Sequence, residues 1–199
     1  MPTRSVLGHQ RTRSGARAAA YTGAVDAAPF LIEVGRALTA VSLDAVLIGN
    51  AGAALQGAPV TTVDFDFLFR RTPRNLQKLK QFATRLDAAV LRPYYPVSDM
   101  FRVVRDDGMQ VDFMATVHGL RSFEGVRARA TIVELQGVRI AVASLGDIIR
   151  SKRAAGRPRD LAVVDLLERV HAQATQEGPP GDTAAAARGA RARKRPRAR

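Results

Sequence analysis

The stretch Asp64-Phe65-Asp66-Phe67-Leu68-Phe69 constrains this chain most. Alternate residues of a β-strand project to opposite faces, so Phe65 and Phe67, with Val63 before them, line one apolar face while Asp64 and Asp66 stand side by side on the other. Two carboxylates held that close repel each other unless a cation neutralises them, and hard divalent ions such as Mg²⁺ bind carboxylate oxygens readily. A metal site is the first reading. The rival is an Asp pair on a solvated edge strand, which the apolar run through Phe69 disfavours.

The 199 residues, 46% hydrophobic, suffice for one domain with a proper core. No apolar run long enough to span a bilayer exists, and the basic N-terminus is not followed by a leader-like apolar stretch, so the expectation is a cytoplasmic protein with no membrane partner. The chain has no cysteine and three scattered histidines, His9, His118 and His171, which excludes thiolate chemistry and disfavours a histidine cage. Any metal then rests on carboxylates.

The net charge of +13 is concentrated at the ends. Residues 1–17 hold four arginines and residues 188–199 seven basic groups, with no acid in either, leaving 20 basic against 18 acidic residues between them. We read residues 1–27 as a basic, flexible extension, 28–172 as the folded domain and 173–199 as a disordered basic tail. Such a tail binds phosphate backbones without sequence preference; the alternative is that its arginines reflect coding bias alone.

Along the domain, Phe30, Leu31, Val34, Leu38 and Val41 predict a helix over 29–41. A short strand, Asp44 to Gly49, leads through a glycine turn into an Ala-rich helix over 50–56, a geometry that offers backbone N–H groups to a phosphate. After the Asp-bearing strand comes a helix with Pro73 in its first turn. Met100–Val104 and Met109–Met114 flank Arg105-Asp106-Asp107-Gly108, a hairpin signal, and the second of them carries Asp112 between apolar neighbours. A second hairpin joins 130–135 to 138–142 through Gln136-Gly137. Ser144 caps a helix with Asp147 in the capping-box position, Gly156 and Pro158 end it, and a last helix starts near Arg159-Asp160. Asp106 and Asp107 read as turn residues, and His118 as a loop or structural histidine.

The ordered set Gly49-Asn50, Asp64-x-Asp66, Asp112 in a mixed α/β chain resembles the nucleotidyltransferase superfamily with the DNA polymerase beta-like fold. Gly49 to Asp66 is similar to the small bacterial branch of abortive-infection type toxins, as is Ser144-Leu-Gly-Asp-Ile-Ile-Arg-Ser-Lys152 continuing to Arg159-Asp160. The resemblance implies an α/β (α+β) fold, a mixed sheet flanked by helices with further helices at the C-terminus. It also implies a Mg²⁺-dependent transferase that moves NMP from an NTP, ATP among them, to a hydroxyl acceptor such as tRNA, within a toxin–antitoxin pair. Asp64 and Asp66 would hold metal, and Asp112 would either share the second metal or take the hydroxyl proton as general base. Gly49, Asn50, Thr62, Lys152, Arg159 and Asp160 would bind the nucleotide, Lys152 doubling as a catalytic cation. The family usually has Ser or Gly where this chain has Asn50, the branch has His where it has Gln56, and Val60 replaces a common Arg.

Two other functions follow from the same residues: a catalytically silent relative that binds nucleotide or nucleic acid, and a small-molecule enzyme of the antibiotic-modifying kind. Gly49 as a plain strand cap, Lys152 as an exposed helix residue and Arg159-Asp160 as a helix cap are the structural alternatives for those positions.

Overall fold

The computed structural model describes residues 28–62 and 64–177. The expected flexible N-terminal extension and the basic end of the tail fall outside the described residues. The elements are α1 (Ala28–Ala40), β1 (Ala45–Ile48), α2 (Gly49–Ala54), β2 (Asp64–Phe69), α3 (Pro73–Arg85), β3 (Ala89–Leu91) and β4 (Phe101–Val104). They continue with β5 (Gln110–Met114), α4 (Phe123–Ala128), β6 (Thr131–Leu135), β7 (Val138–Val142), α5 (Leu145–Ala155) and α6 (Pro158–Glu177). No helix among the described residues is long and apolar enough to cross a membrane.

All seven strands form one sheet in the order β3-β4-β5-β2-β1-β7-β6. β2 lies parallel to β5, and β1 parallel to β7, while every other neighbouring pair is antiparallel. Both hairpins form where their turn residues announce them. In the first, the N–H of Gly108 donates to the carbonyl of Arg105 and the N–H of Arg105 to that of Met109.

Strand alternation divides the core in two. Phe65, Phe67 and Phe69 of β2 join Val111 and Phe113 of β5 under α1 and α3, whose Val34, Leu38, Leu79 and Phe82 close that layer. Phe67 stacks on Phe113 with centroids 5.6 Å apart, and Phe82 meets the Phe113 ring edge-on at 5.2 Å. Each fully buried ring contributes roughly 1.5–3 kcal/mol. Gly35 lets α1 approach β7, since a Cβ there would lie 2.6 Å from Val138 Cγ1. On the opposite face Val46, Ile48 and Leu68 pack against Ile148 and Ile149 of α5 and Val164 and Leu167 of α6. That second face is also the one to which Asp64, Asp66 and Asp112 belong.

Two expectations need correcting, and two elements went unread. α6 runs to Glu177, five residues past the anticipated boundary at 172, because nothing between Ala172 and Glu177 breaks a helix. β3 and α4 had no sequence signal, being a three-residue edge strand and a single Ser122-capped turn and a half. Ser144 does cap α5, its hydroxyl accepting from the N–H of Asp147, but the Asp147 carboxylate closes no capping box. It is buried and accepts instead from Arg129 and Arg150.

Candidate functional site

The parallel pairing of β2 with β5 sets Asp66 directly beside Asp112. Residues paired on adjacent strands share a face about 4.8 Å apart, so two acids far apart in the chain become neighbours. Asp64, two residues before Asp66, extends the row toward solvent and is exposed. Burial pushes the half-buried Asp66 carboxyl up to about 6, with the charges of Asp112 and Asp64 adding to the effect and those of Lys152 and Arg157 opposing it.

Asp112 is 6% exposed and held by a cross-strand partner. Arg102 of β4 donates through Nε to one carboxylate oxygen at 2.8 Å and through Nη2 to the other at 2.7 Å. This fork geometry is among the stronger hydrogen-bonded ion pairs. It raises the pKa of Arg102 above its ordinary value, the hydrogen bond to Asp112 being the main cause. Arg102 was missed at the sequence level. Its only signal was its place opposite Asp112 in the hairpin, which is legible once the exact register is known.

Gly49 sits at the end of β1 with φ of +67° and opens α2. A Cβ at this position would lie 2.5 Å from Asp66 Oδ2, so only glycine lets the turn pass so close to the carboxylate. Next to it, Asn50 Oδ1 is buried with no hydrogen-bond partner among the described residues. An unpaired buried acceptor costs about 1–3 kcal/mol, and rotating the amide presents its N–H₂ at the same place. Gln56 stabilises this turn from behind, its Nε2 donating to the carbonyls of Gly52 and Ala143.

Lys152 lies on the inner side of α5, 8% exposed, with Nζ 3.3 Å from Asp160 Oδ1. The second oxygen of Asp160 accepts from Arg157 Nε at 2.7 Å. Gly156, left-handed at φ of +65°, turns the chain between α5 and α6 and so brings the three together. Arg157 is the cation that pairs with Asp160 beside Lys152; it and the anticipated Arg159 are both exposed. No motif marked Arg157, which precedes the helix and is drawn in by Asp160. Thr62, expected to touch nucleotide, has its hydroxyl engaged with the backbone N–H and carbonyl of Asp64. His118 is exposed in a loop beyond β5.

The structure thus collects Asp64, Asp66, Asp112, Gly49 and Asn50 along one face of the sheet, with Lys152 and Arg157 near enough to act on the charge of Asp66. Crowded hard oxygens, one carboxyl with a raised pKa and one orphaned amide suit a divalent cation and a polyanion. Among the described residues, however, no group of three acids or histidines is disposed to hold a metal ion, and both oxygens of Asp112 are engaged by Arg102. A groove lined by Leu43, Ile132 and Arg139 shares no residue with this cluster.

No protein-family profile and no curated protein matches the sequence. Solved structures do. The antibiotic-resistance factor ANT(2'')-Ia in solution superposes with a TM-score of 0.52 at 12% identity, over 75% of this chain and 91% of that one. The lincosamide antibiotic adenylyltransferase LnuA, bound to lincomycin, gives 0.52 at 12% identity, over 74% and 98%. A Thermotoga maritima protein provisionally assigned as a nucleotidyltransferase gives 0.50 at 19% identity, over 69% and 89%. At these identities the likeness is one of backbone architecture, and what it establishes is that this chain has the fold of the nucleotidyltransferases.

Proposed function

We propose that the protein is a metal-dependent nucleotidyltransferase that moves a nucleoside monophosphate from an NTP to a hydroxyl acceptor. The observation that carries this reading is the side-by-side placement of Asp66 and Asp112, with Gly49 closed against Asp66. Asp64 and Asp66 are the residues that would hold Mg²⁺, and when bound the ion would supply charge neutralisation at the triphosphate. Gly49 and Asn50 would receive the terminal phosphates through backbone N–H groups and the Asn50 amide. Lys152 and Arg157 add fixed positive charge beside them.

The acceptor oxygen would attack the α-phosphorus as the bond to the β-phosphate oxygen breaks, releasing pyrophosphate, and Asp112 would take the hydroxyl proton. Its engagement with Arg102 does not forbid this. A carboxylate offers about four lone-pair sites, and a bidentate arginine uses two. Arg102 grips both oxygens of Asp112 and fixes its plane, which makes it a positioning residue.

The decisive experiment is Mg²⁺-dependent incorporation of labelled NMP from each common NTP into total RNA and into small hydroxyl acceptors. Loss in Asp66→Asn is expected; incorporation that survives it would remove the proposal. Among acceptors we favour tRNA or another RNA, on the strength of the arginine-rich termini in the sequence. A toxin role with an antitoxin partner belongs to the same reading, and predicts growth arrest on expression that a neighbouring gene product relieves.

A second reading has its own observation. Because Arg102 occupies Asp112 and no three-acid metal group forms among the described residues, a silent relative that binds nucleotide without transfer is the alternative. Tight NTP binding with no incorporation into any acceptor would select it.

A further inference from the structure

We propose that β6 is a docking edge, and that its occupant is an acidic, extended segment of a partner protein that adds to the sheet as a further strand. The inference goes beyond the transferase reading and stands whatever chemistry the acidic row performs. The sheet ends in β3 on one side and β6 on the other. An edge strand presents a row of unpaired N–H and C=O groups to any extended chain, and proteins blunt such edges by keeping them short or by placing proline and lysine on them. β3 is blunted in this way: it has three residues, and Pro93 and Pro96 follow it closely. β6 is not.

Thr131–Leu135 is five residues long, β-branched or apolar except for Glu134, and holds neither proline nor lysine. Each residue has its partner in β7, from Thr131 with Val142 to Leu135 with Val138, so no bulge twists the edge away. Its outer side meets no strand among the described residues, and a Cβ on Gly137, in the turn that follows, would touch nothing within 4 Å. Beside this strand lies a groove of about 470 Å³, lined by Leu38, Leu43, Ile140 and the 39% exposed Ile132. Two of its polar groups are already engaged, since Thr39 donates to the Gly35 carbonyl and Asp44 accepts from Arg127. What the groove has left to offer is room for an apolar side chain, the arrangement by which an added strand gains specificity while its backbone gains affinity.

Charge decides the occupant. Arg127 and Arg139 line the groove, and Arg129, two residues before β6, shares the Asp147 carboxylate with Arg150. Those four cations stand against three acids, Asp44, Asp147 and Glu134, and among the described residues Arg139 has no ion pair or hydrogen bond. A second copy of this chain would bring the same surplus and a net charge of +13 that repels its like, whereas an acidic segment is drawn in. Glu134 disfavours an acid directly opposite itself, so the carboxylates of the segment belong at the Thr131 end, toward Arg127 and Arg129.

The test pans a displayed library of short random peptides on the full chain and, in parallel, on Ile132→Lys. Ile132 is exposed, so the substitution leaves the core intact and the thermal midpoint unchanged. The wild type should enrich peptides that combine β-branched residues with Asp and Glu. The best of these, synthesised, should bind Ile132→Lys about tenfold more weakly, the scale of losing one buried anchor, and should slow amide exchange over residues 131–135 of the wild type. No enrichment, enrichment of basic peptides, or unaltered exchange in β6 overturns the proposal. Acidic peptides that bind Ile132→Lys equally well would be held by the arginine-rich termini and would count against it too. A wild-type dimer in sedimentation that Ile132→Lys dissociates would assign the edge to a second copy and remove the occupant named here.

Discussion

Arg102 grips both oxygens of Asp112, the buried acid that stands beside Asp66. The pair holds Asp112 in place while the charge of that acid still bears on Asp66, whose carboxyl is pushed up to about 6 by burial and the neighbouring acids against the opposing charges of Lys152 and Arg157.

Replacing Arg102 with Met should expose that repulsion. Without metal the variant should lose about 1.5–3 kcal/mol, the worth of hydrogen bonds to a charged group. Urea unfolding with and without Mg²⁺ checks this, and added Mg²⁺ should recover more stability in the variant than in the wild type, because Asp112 is then free to join Asp64 and Asp66.

Asp66 predicts an unusual pH dependence. Its pKa is about 6 when folded against 3.8 ordinarily, so between those values the folded chain keeps a proton that the unfolded chain has released. Stability conferred by this group is therefore present at the acid end and declines as pH rises through that interval, by about 3 kcal/mol in all. Asp66→Asn should flatten this segment of the urea midpoint against pH, and saturating Mg²⁺ should shrink it in the wild type by favouring the ionised form.

At position 49 an alanine meets two obstacles, a left-handed backbone and the oxygen of Asp66 at 2.5 Å. Gly49→Ala should cost about 1–2 kcal/mol and reduce NTP affinity far more than a surface substitution of equal cost. Calorimetric titration with NTP beside thermal unfolding separates the two effects.

Lys152→Met would leave Asp160 buried with only Arg157 as partner. Removing one member of a buried pair costs about 3–5 kcal/mol. It also withdraws a charge that restrains Asp66, so the upper edge of the pH window above should move to higher pH while its lower edge stays. Asp160→Asn, which retains the lysine, should shift that window less.

Much of this architecture was legible in the sequence for physical reasons that can be named. The alternation in β2 assigns Phe65 and Phe67 to one face and the acids to the other, and the Asp-Gly turn fixes the β4–β5 hairpin. The stop at Gly156 was legible too, whereas the relation of Lys152 to Asp160 came from the resemblance alone. What periodicity cannot convey is which strands become neighbours, so the adjacency of β2 and β5 had to come from resemblance. Arg102 and Arg157 were missed for the same reason, since each is recruited by a carboxylate that local sequence does not place beside it. Gln56, read as a departure from the bacterial branch, has a structural task in holding the Gly49 turn.

The union of β2 with β5 also has a temporal side. Between them the chain must lay down α3, β3 and β4, so during synthesis Asp66 emerges from the ribosome well before the strand that will crowd it. The electrostatic opposition is deferred until β5 docks against its parallel neighbour, and a nascent fragment that stops short of Gln110 possesses neither the crowding nor the full acidic cluster that would draw in a cation.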